Sequence, residues 1–192
     1  MKAIQFVRVG LVALGIASTS CSAVRQGTGT SYLIVNSLLA SAGGSDDEPA
    51  SVLFSDVLTG GGVINDNGVV EFTLGFKDPA IPNQPSQAQT ITVDRYRVKY
   101  VRSDGRNVEG VDVPYGFDGG LTATVGGSGG AATFLLVRHT AKREAPLAAL
   151  ANDFQKILTI AEVTFYGRDQ TGHEVMAVGR ITIDFGNFAD PE

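Results

Sequence analysis

The sequence has no Trp, one Cys, two His and two Met among 192 residues, and only 18% of its residues are charged. A single Cys excludes an intrachain disulfide, so a folded domain must be held by its core alone. His139 and His173 stand more than 30 positions apart, outside H-E-x-x-H or any comparable zinc spacing, and both read as solvated surface residues. No P-loop and no G-x-G-x-x-G leading into a helix is present. The Gly-rich run at 126–130 sits between two strand-like segments, where it makes a turn and not a phosphate cradle. Fifteen Lys and Arg stand against 20 Asp and Glu, a net charge of −5 with a pI near 5.0, and no basic run stands out. A nucleic-acid backbone is therefore not an expected partner. With 24 Gly and seven Pro, few long stretches of good helix formers remain, which points to strands joined by turns and excludes a helix bundle. The apolar content of 43% is enough for a core, and the length suits one domain.

At the N-terminus, Lys2 and Arg8 are the only charges of residues 1–20, and 9–17 (VGLVALGIA) is an unbroken apolar or small run. That run is too short to cross a bilayer, which takes about 20 residues, and it reads as a removable export signal. Cys21 follows directly after Ser18, Thr19 and Ser20. This junction resembles the lipobox of bacterial lipoproteins, with Ser18 in the place where the family usually carries Leu. The resemblance implies a lipid on Cys21 and, with Ser22 beside it, a place in the outer membrane of the bacterial cell envelope. The alternative is cleavage by an ordinary signal peptidase, releasing a secreted or periplasmic chain that begins at Val24. Residues 21–30 are small and polar and suit a flexible tether. Residues 31–192 form the expected domain.

Within that domain, apolar and polar residues alternate with period two in segments bounded by turn chemistry. Val70, Phe72, Leu74 and Phe76 form one inward set; Tyr96, Val98 and Tyr100 form another, opposite a stripe of Arg95, Arg97 and Lys99. The strand-like segments 121–125 and 132–137 flank the Gly-rich run and suggest a hairpin. Ala161, Val163 and Phe165 lead through the turn 168–173 to Val175, Ala177, Gly179, Ile181, Ile183 and Phe185. Between them, Pro146 opens a segment in which Leu147, Leu150 and Phe154 recur at helical spacing, predicting a short helical turn within 144–154. The expected fold is all-β, an antiparallel sandwich of seven or eight strands. The stretch 161–185 (AEVTFYGRDQTGHEVMAVGRITIDF) is similar to the closing hairpin of bacterial immunoglobulin-like domains, which implies that fold type. It lacks the Cys pair and core Trp of antibody domains.

Chemistry is harder to find. Asp66, Asp104, Asp112 and Asp118 stand near Gly-rich turns, but none matches a calcium loop, and Asp before Gly is what turns themselves require. No catalytic set, cofactor or metal is expected. The reading is a non-enzymatic exported module that binds another envelope protein or a glycan through its loops; the alternative is an envelope-bound hydrolase with loop carboxylates. Tyr115 and Phe117, aromatic among flexible residues, together with the cations Lys142 and Arg143, are the candidate interaction surface.

Overall fold

The computed structural model describes residues 29–77 and 86–188. Residues 1–28, with the export signal and Cys21, lie outside the described residues, as do 78–85 and 189–192. Among the described residues, no helix is long and apolar enough to cross a membrane.

The chain is all-β, folded as two sheets. Strands β1 (Ser31–Ser41), β3 (Asp66–Phe76) and β6 (Gly130–Val137) form a three-stranded sheet in the order β1-β3-β6. The second sheet has five strands: β2 (Val52–Asp56), β4 (Ile91–Val101), β5 (Phe117–Val125), β7 (Ile157–Asp169) and β8 (Glu174–Gly186), in the order β2-β8-β7-β4-β5. All pairs are antiparallel except β2–β8. That parallel pair corrects the expectation of a wholly antiparallel sandwich. Its cause is the loop 42–51, which carries the chain from the end of β1 across to the other sheet, so that Leu53 pairs with Ile183 and β2 runs in the direction of β8.

The alternation read from the sequence becomes the core. Val70, Phe72, Tyr96, Val98, Tyr100, Val163, Phe165, Ile181, Ile183 and Phe185 are all buried between the sheets. Phe165 has no exposed surface and meets Phe72 and Phe134 edge to face, with ring centroids 5.0 and 5.3 Å apart. Tyr100 is also closed off, and its hydroxyl donates to the Leu136 carbonyl at 2.7 Å, tying β4 to β6 across the sandwich. Burial pushes the Tyr100 phenol far up from its ordinary value, so it stays a donor. At the sheet edge, Gly179 admits β1: a Cβ there would sit 3.0 Å from Leu38 and 3.2 Å from Val35.

Two local expectations need correction, the hairpin of β5 with β6 and the place of Phe154, while the expected helical turn within 144–154 is present. Strands β5 and β6 are not partners in one sheet; the Gly126–Gly129 turn passes the chain from the five-stranded to the three-stranded sheet. The helical turn is a 3₁₀ segment, Leu147–Asn152, preceded by a short helix α1 at His139–Lys142. Leu147 and Leu150 are buried as their spacing suggests, but Phe154 is fully exposed, because the chain has left the 3₁₀ segment and turned toward β7.

Strand direction sorts the connections between two ends. The chain enters β1 at the end that carries the last residue of β3, the first residue of β4, the Gly126–Gly129 turn and the β7–β8 turn. The opposite end carries 57–65, 102–116 and 138–156.

Candidate interaction surface

The β4–β5 connection, residues 102–116, is long, yet it is bonded to itself throughout. Asp104 organises its first half, accepting from the Arg102 guanidinium and from both the backbone and side chain of Arg106. The hydrogen bonds from Arg102, then from the Arg106 backbone, hold the Asp104 carboxyl well below the usual carboxylate range. Asn107 accepts from the Arg102 N–H at 2.6 Å, Asp112 from the Val108 N–H at 3.1 Å and Glu109 from the Gly116 N–H at 3.2 Å. Gly110 adopts φ +77°, where L side chains are strained, and the Tyr115 ring lies over it in the space a Cβ would fill. Buried Val113 and Pro114 anchor the base.

A loop held this firmly presents what it carries in fixed positions. It carries apolar groups: Val108 is 59% exposed, Val111 67% and Tyr115 50%. Such exposure on a pre-ordered backbone costs little further entropy when a partner covers it. Ile64 and Phe154 are exposed at the same end of the sandwich.

Of the four residues picked from the sequence, Tyr115 and Arg143 lie on the surface and two do not. Phe117 is 8% exposed; its ring packs 6.2 Å from Tyr96, and the Arg138 guanidinium lies 4.4 Å over it. It is the first residue of β5, and strand alternation turns it inward. Lys142 is buried as well, with its Nζ 2.8 Å from Asp66 Oδ1, both side chains almost fully closed from solvent. Neither can form part of an exposed surface.

The buried pair is a feature that sequence reasoning missed. Asp66 opens β3 and reads as a turn acid, yet it is wholly buried and accepts three hydrogen bonds: from Lys142, from the Gly43 N–H at 2.9 Å and from the Ser55 hydroxyl at 2.6 Å. It thereby joins β2, β3, α1 and the β1–β2 loop directly beneath the end that bears the exposed loop. His139, at the start of α1, is exposed and fixed to Asn65, whose Oδ1 accepts its backbone N–H at 2.6 Å.

At the other end, Asp169 builds the β7–β8 turn. Its Oδ1 accepts from the backbone N–H groups of Thr171 and His173, both at 2.9 Å, and from the Thr171 hydroxyl at 2.7 Å. Burial alone would raise the Asp169 carboxyl, but these bonds outweigh it and hold the carboxyl below its ordinary value. Among the described residues, no three His, Cys, Asp or Glu side chains converge as a metal site would require.

Comparison of the chain with protein-family models, with curated proteins and with solved structures returns no match. The class that fold and surface define is an all-β sandwich with a firmly held apolar loop at one end.

Proposed function

We propose that this chain is a non-enzymatic interaction module of the bacterial cell envelope: an immunoglobulin-like sandwich, anchored by a lipid on Cys21 in the outer membrane, that holds a protein partner with the 102–116 loop. The strand order supports the immunoglobulin-like type, with β4, β7 and β8 adjacent in one sheet and β1, β3 and β6 facing them in the other. The observation that carries the functional reading is the self-bonded loop that exposes Val108, Val111 and Tyr115 at the end opposite the entry of the chain. A tether at Ser31 turns that end away from a membrane. A centre of apolar and aromatic groups with charged neighbours, here Arg106 and Asp112, is the usual composition of a protein-binding patch.

The test is photo-crosslinking of the full-length chain in its native cells from position 111, with position 170 at the opposite end as control. A discrete adduct from 111 alone, lost in the Val111→Asp variant at unchanged thermal stability, is the expected result. Equal adducts from both positions, or none, would refute the loop assignment. The anchor is checked by intact mass: the mature chain should carry acyl groups on Cys21, and a chain beginning at Val24 would remove that part of the proposal.

A further inference from the structure

The two sheets have four edges, and three of them are blunted. Strand β1 bulges at Asn36, and near its end Ala40 exchanges two backbone hydrogen bonds with Ala50, at 2.9 and 2.8 Å. Strand β2 has five residues and ends on Asp56. Strand β5 carries Asp118 and a register shift against β4, which itself bulges at Asp94 against β7. Bulges, short length and charge are the ordinary devices that keep a sheet edge from pairing with another chain. The fourth edge, β6, lacks them over most of its length. Its eight residues, GAATFLLV, include no charge and no Pro, and the register against β3 is unbroken from Gly130 to Leu135. Among the described residues, no strand pairs with its other side.

Part of that side is satisfied from within the fold. The Tyr100 hydroxyl donates to the Leu136 carbonyl, and the Tyr96 hydroxyl is hydrogen-bonded to the Leu135 backbone. The open stretch is therefore 130–134, where Ala131 and Thr133 are exposed on the outer face and Gly130 and Ala132 are half-buried. Every second residue of an edge turns its N–H and C=O outward, and the group that matches such a row is another extended backbone. The surroundings select its side chains. Strands β1, β3 and β6 hold two charges between them: Asp66 is buried, and Glu71, on the outer face, accepts from the Ser37 hydroxyl at 3.0 Å. A cation laid beside Ala131 stands two strands from Glu71, about 10 Å away, and an anion there has no counterion on that face. Uncharged β-branched side chains pack against Ala131 and Thr133 with no charge left unpaired.

We propose that the 130–134 edge of β6 receives an uncharged, extended segment of a partner protein, added as a fourth strand to the three-stranded sheet. A second copy of this chain offers a matching edge, but antiparallel pairing of β6 with itself sets the entry end of one copy beside the loop-bearing end of the other. Chains that stand on one membrane by their entry ends cannot meet that way. The choice of a partner segment over a second copy therefore rests on the anchored reading above. The edge is separate from the 102–116 loop, and either surface could stand without the other.

The experiment is titration of the isotope-labelled mature chain, in detergent, with a blocked peptide of alternating Thr and Val, followed by amide nuclear magnetic resonance. Methyl groups on alternate backbone nitrogens keep the peptide from stacking on itself and leave one of its edges free to pair; the same peptide methylated on every nitrogen is the control. Saturable shifts and slowed amide exchange centred on 130–134 are expected with the first peptide and absent with the second. Thr133→Lys, which places a guarding charge on the edge, should weaken binding about tenfold, and Thr122→Lys on β5 should leave it unchanged, both at the thermal midpoint of the parent. No saturable binding, equal binding of the fully methylated peptide, shifts centred on β1, β2 or β5, or unchanged affinity in Thr133→Lys would each overturn the assignment. Shifts at 130–134 that grow with protein concentration and no peptide would give the edge to a second copy instead and overturn the choice of partner. The anchor is read separately by intact mass, so failure of the edge and failure of the anchor are distinct results.

Discussion

Replacing Lys142 with Met tests how the loop-bearing end is held together. Met keeps an unbranched apolar stem of similar length and removes only the charge, so packing around α1 is little changed. Asp66 then keeps the Gly43 N–H and the Ser55 hydroxyl but loses the cation 2.8 Å from Oδ1, in a site with no solvent access. Stranding one member of a buried pair costs about 3–5 kcal/mol. For a domain of this size that lowers the thermal midpoint by about 6–20 °C, and in urea, at about 2 kcal/mol per molar, it moves the midpoint down by roughly 1.5–2.5 M. Urea unfolding followed by far-ultraviolet circular dichroism measures the loss. The double variant Asp66→Asn with Lys142→Met should be more stable than Lys142→Met alone, because a neutral amide can keep both remaining partners without a buried charge. A loss below about 1 kcal/mol in Lys142→Met would refute the reasoning, as would strict additivity in the double variant.

Two further outcomes follow from the core and the closing turn. Phe165→Ala should cost about 3–5 kcal/mol and Tyr166→Ala far less, since the first ring is enclosed by Phe72 and Phe134 while the second lies on the outer face; equal losses in thermal melts would mean that the register of β7 is wrong. The depressed Asp169 carboxyl contributes stability that is fully present above its unfolded value of about 3.9 and is lost as pH falls through its lower folded value. Asp169→Asn should therefore be less stable than the parent at neutral pH, with a gap that narrows below about pH 4 in pH-dependent melts.

How far the fold could be read depended on what period-two alternation encodes. It assigns faces, and the inward sets around Phe72, Val98, Phe165 and Ile183 were legible for that reason. It does not assign neighbours, so the parallel partner of β2 and the separation of β5 from β6 into different sheets left no trace in local pattern. The bulge in β4 did leave one: Asp94 and Arg95 are two consecutive polar residues between inward Val93 and Tyr96. At the candidate surface, Tyr115 and Arg143 could be picked out by type, while Phe117 could not be placed because Gly119 and Gly120 interrupt the alternation that would have turned it inward. Asp66 and Lys142 lie 76 positions apart, and each alone has the composition of a solvated residue. Only the folded chain brings them together.

The pairing of β2 with β8 also bears on when folding can begin. Residues 52–56 wait for partners at 182–186, and β4, near the middle of the chain, waits for β7. Contacts so distant in sequence form late, after the entropy of closing long loops has been met. Until Gly186 has been made, a growing chain has the hairpin between β4 and β5 and the ladder between β1 and β3, but no closed sandwich over its apolar strands. Such a chain keeps the apolar faces of its earlier strands uncovered until the final strand arrives.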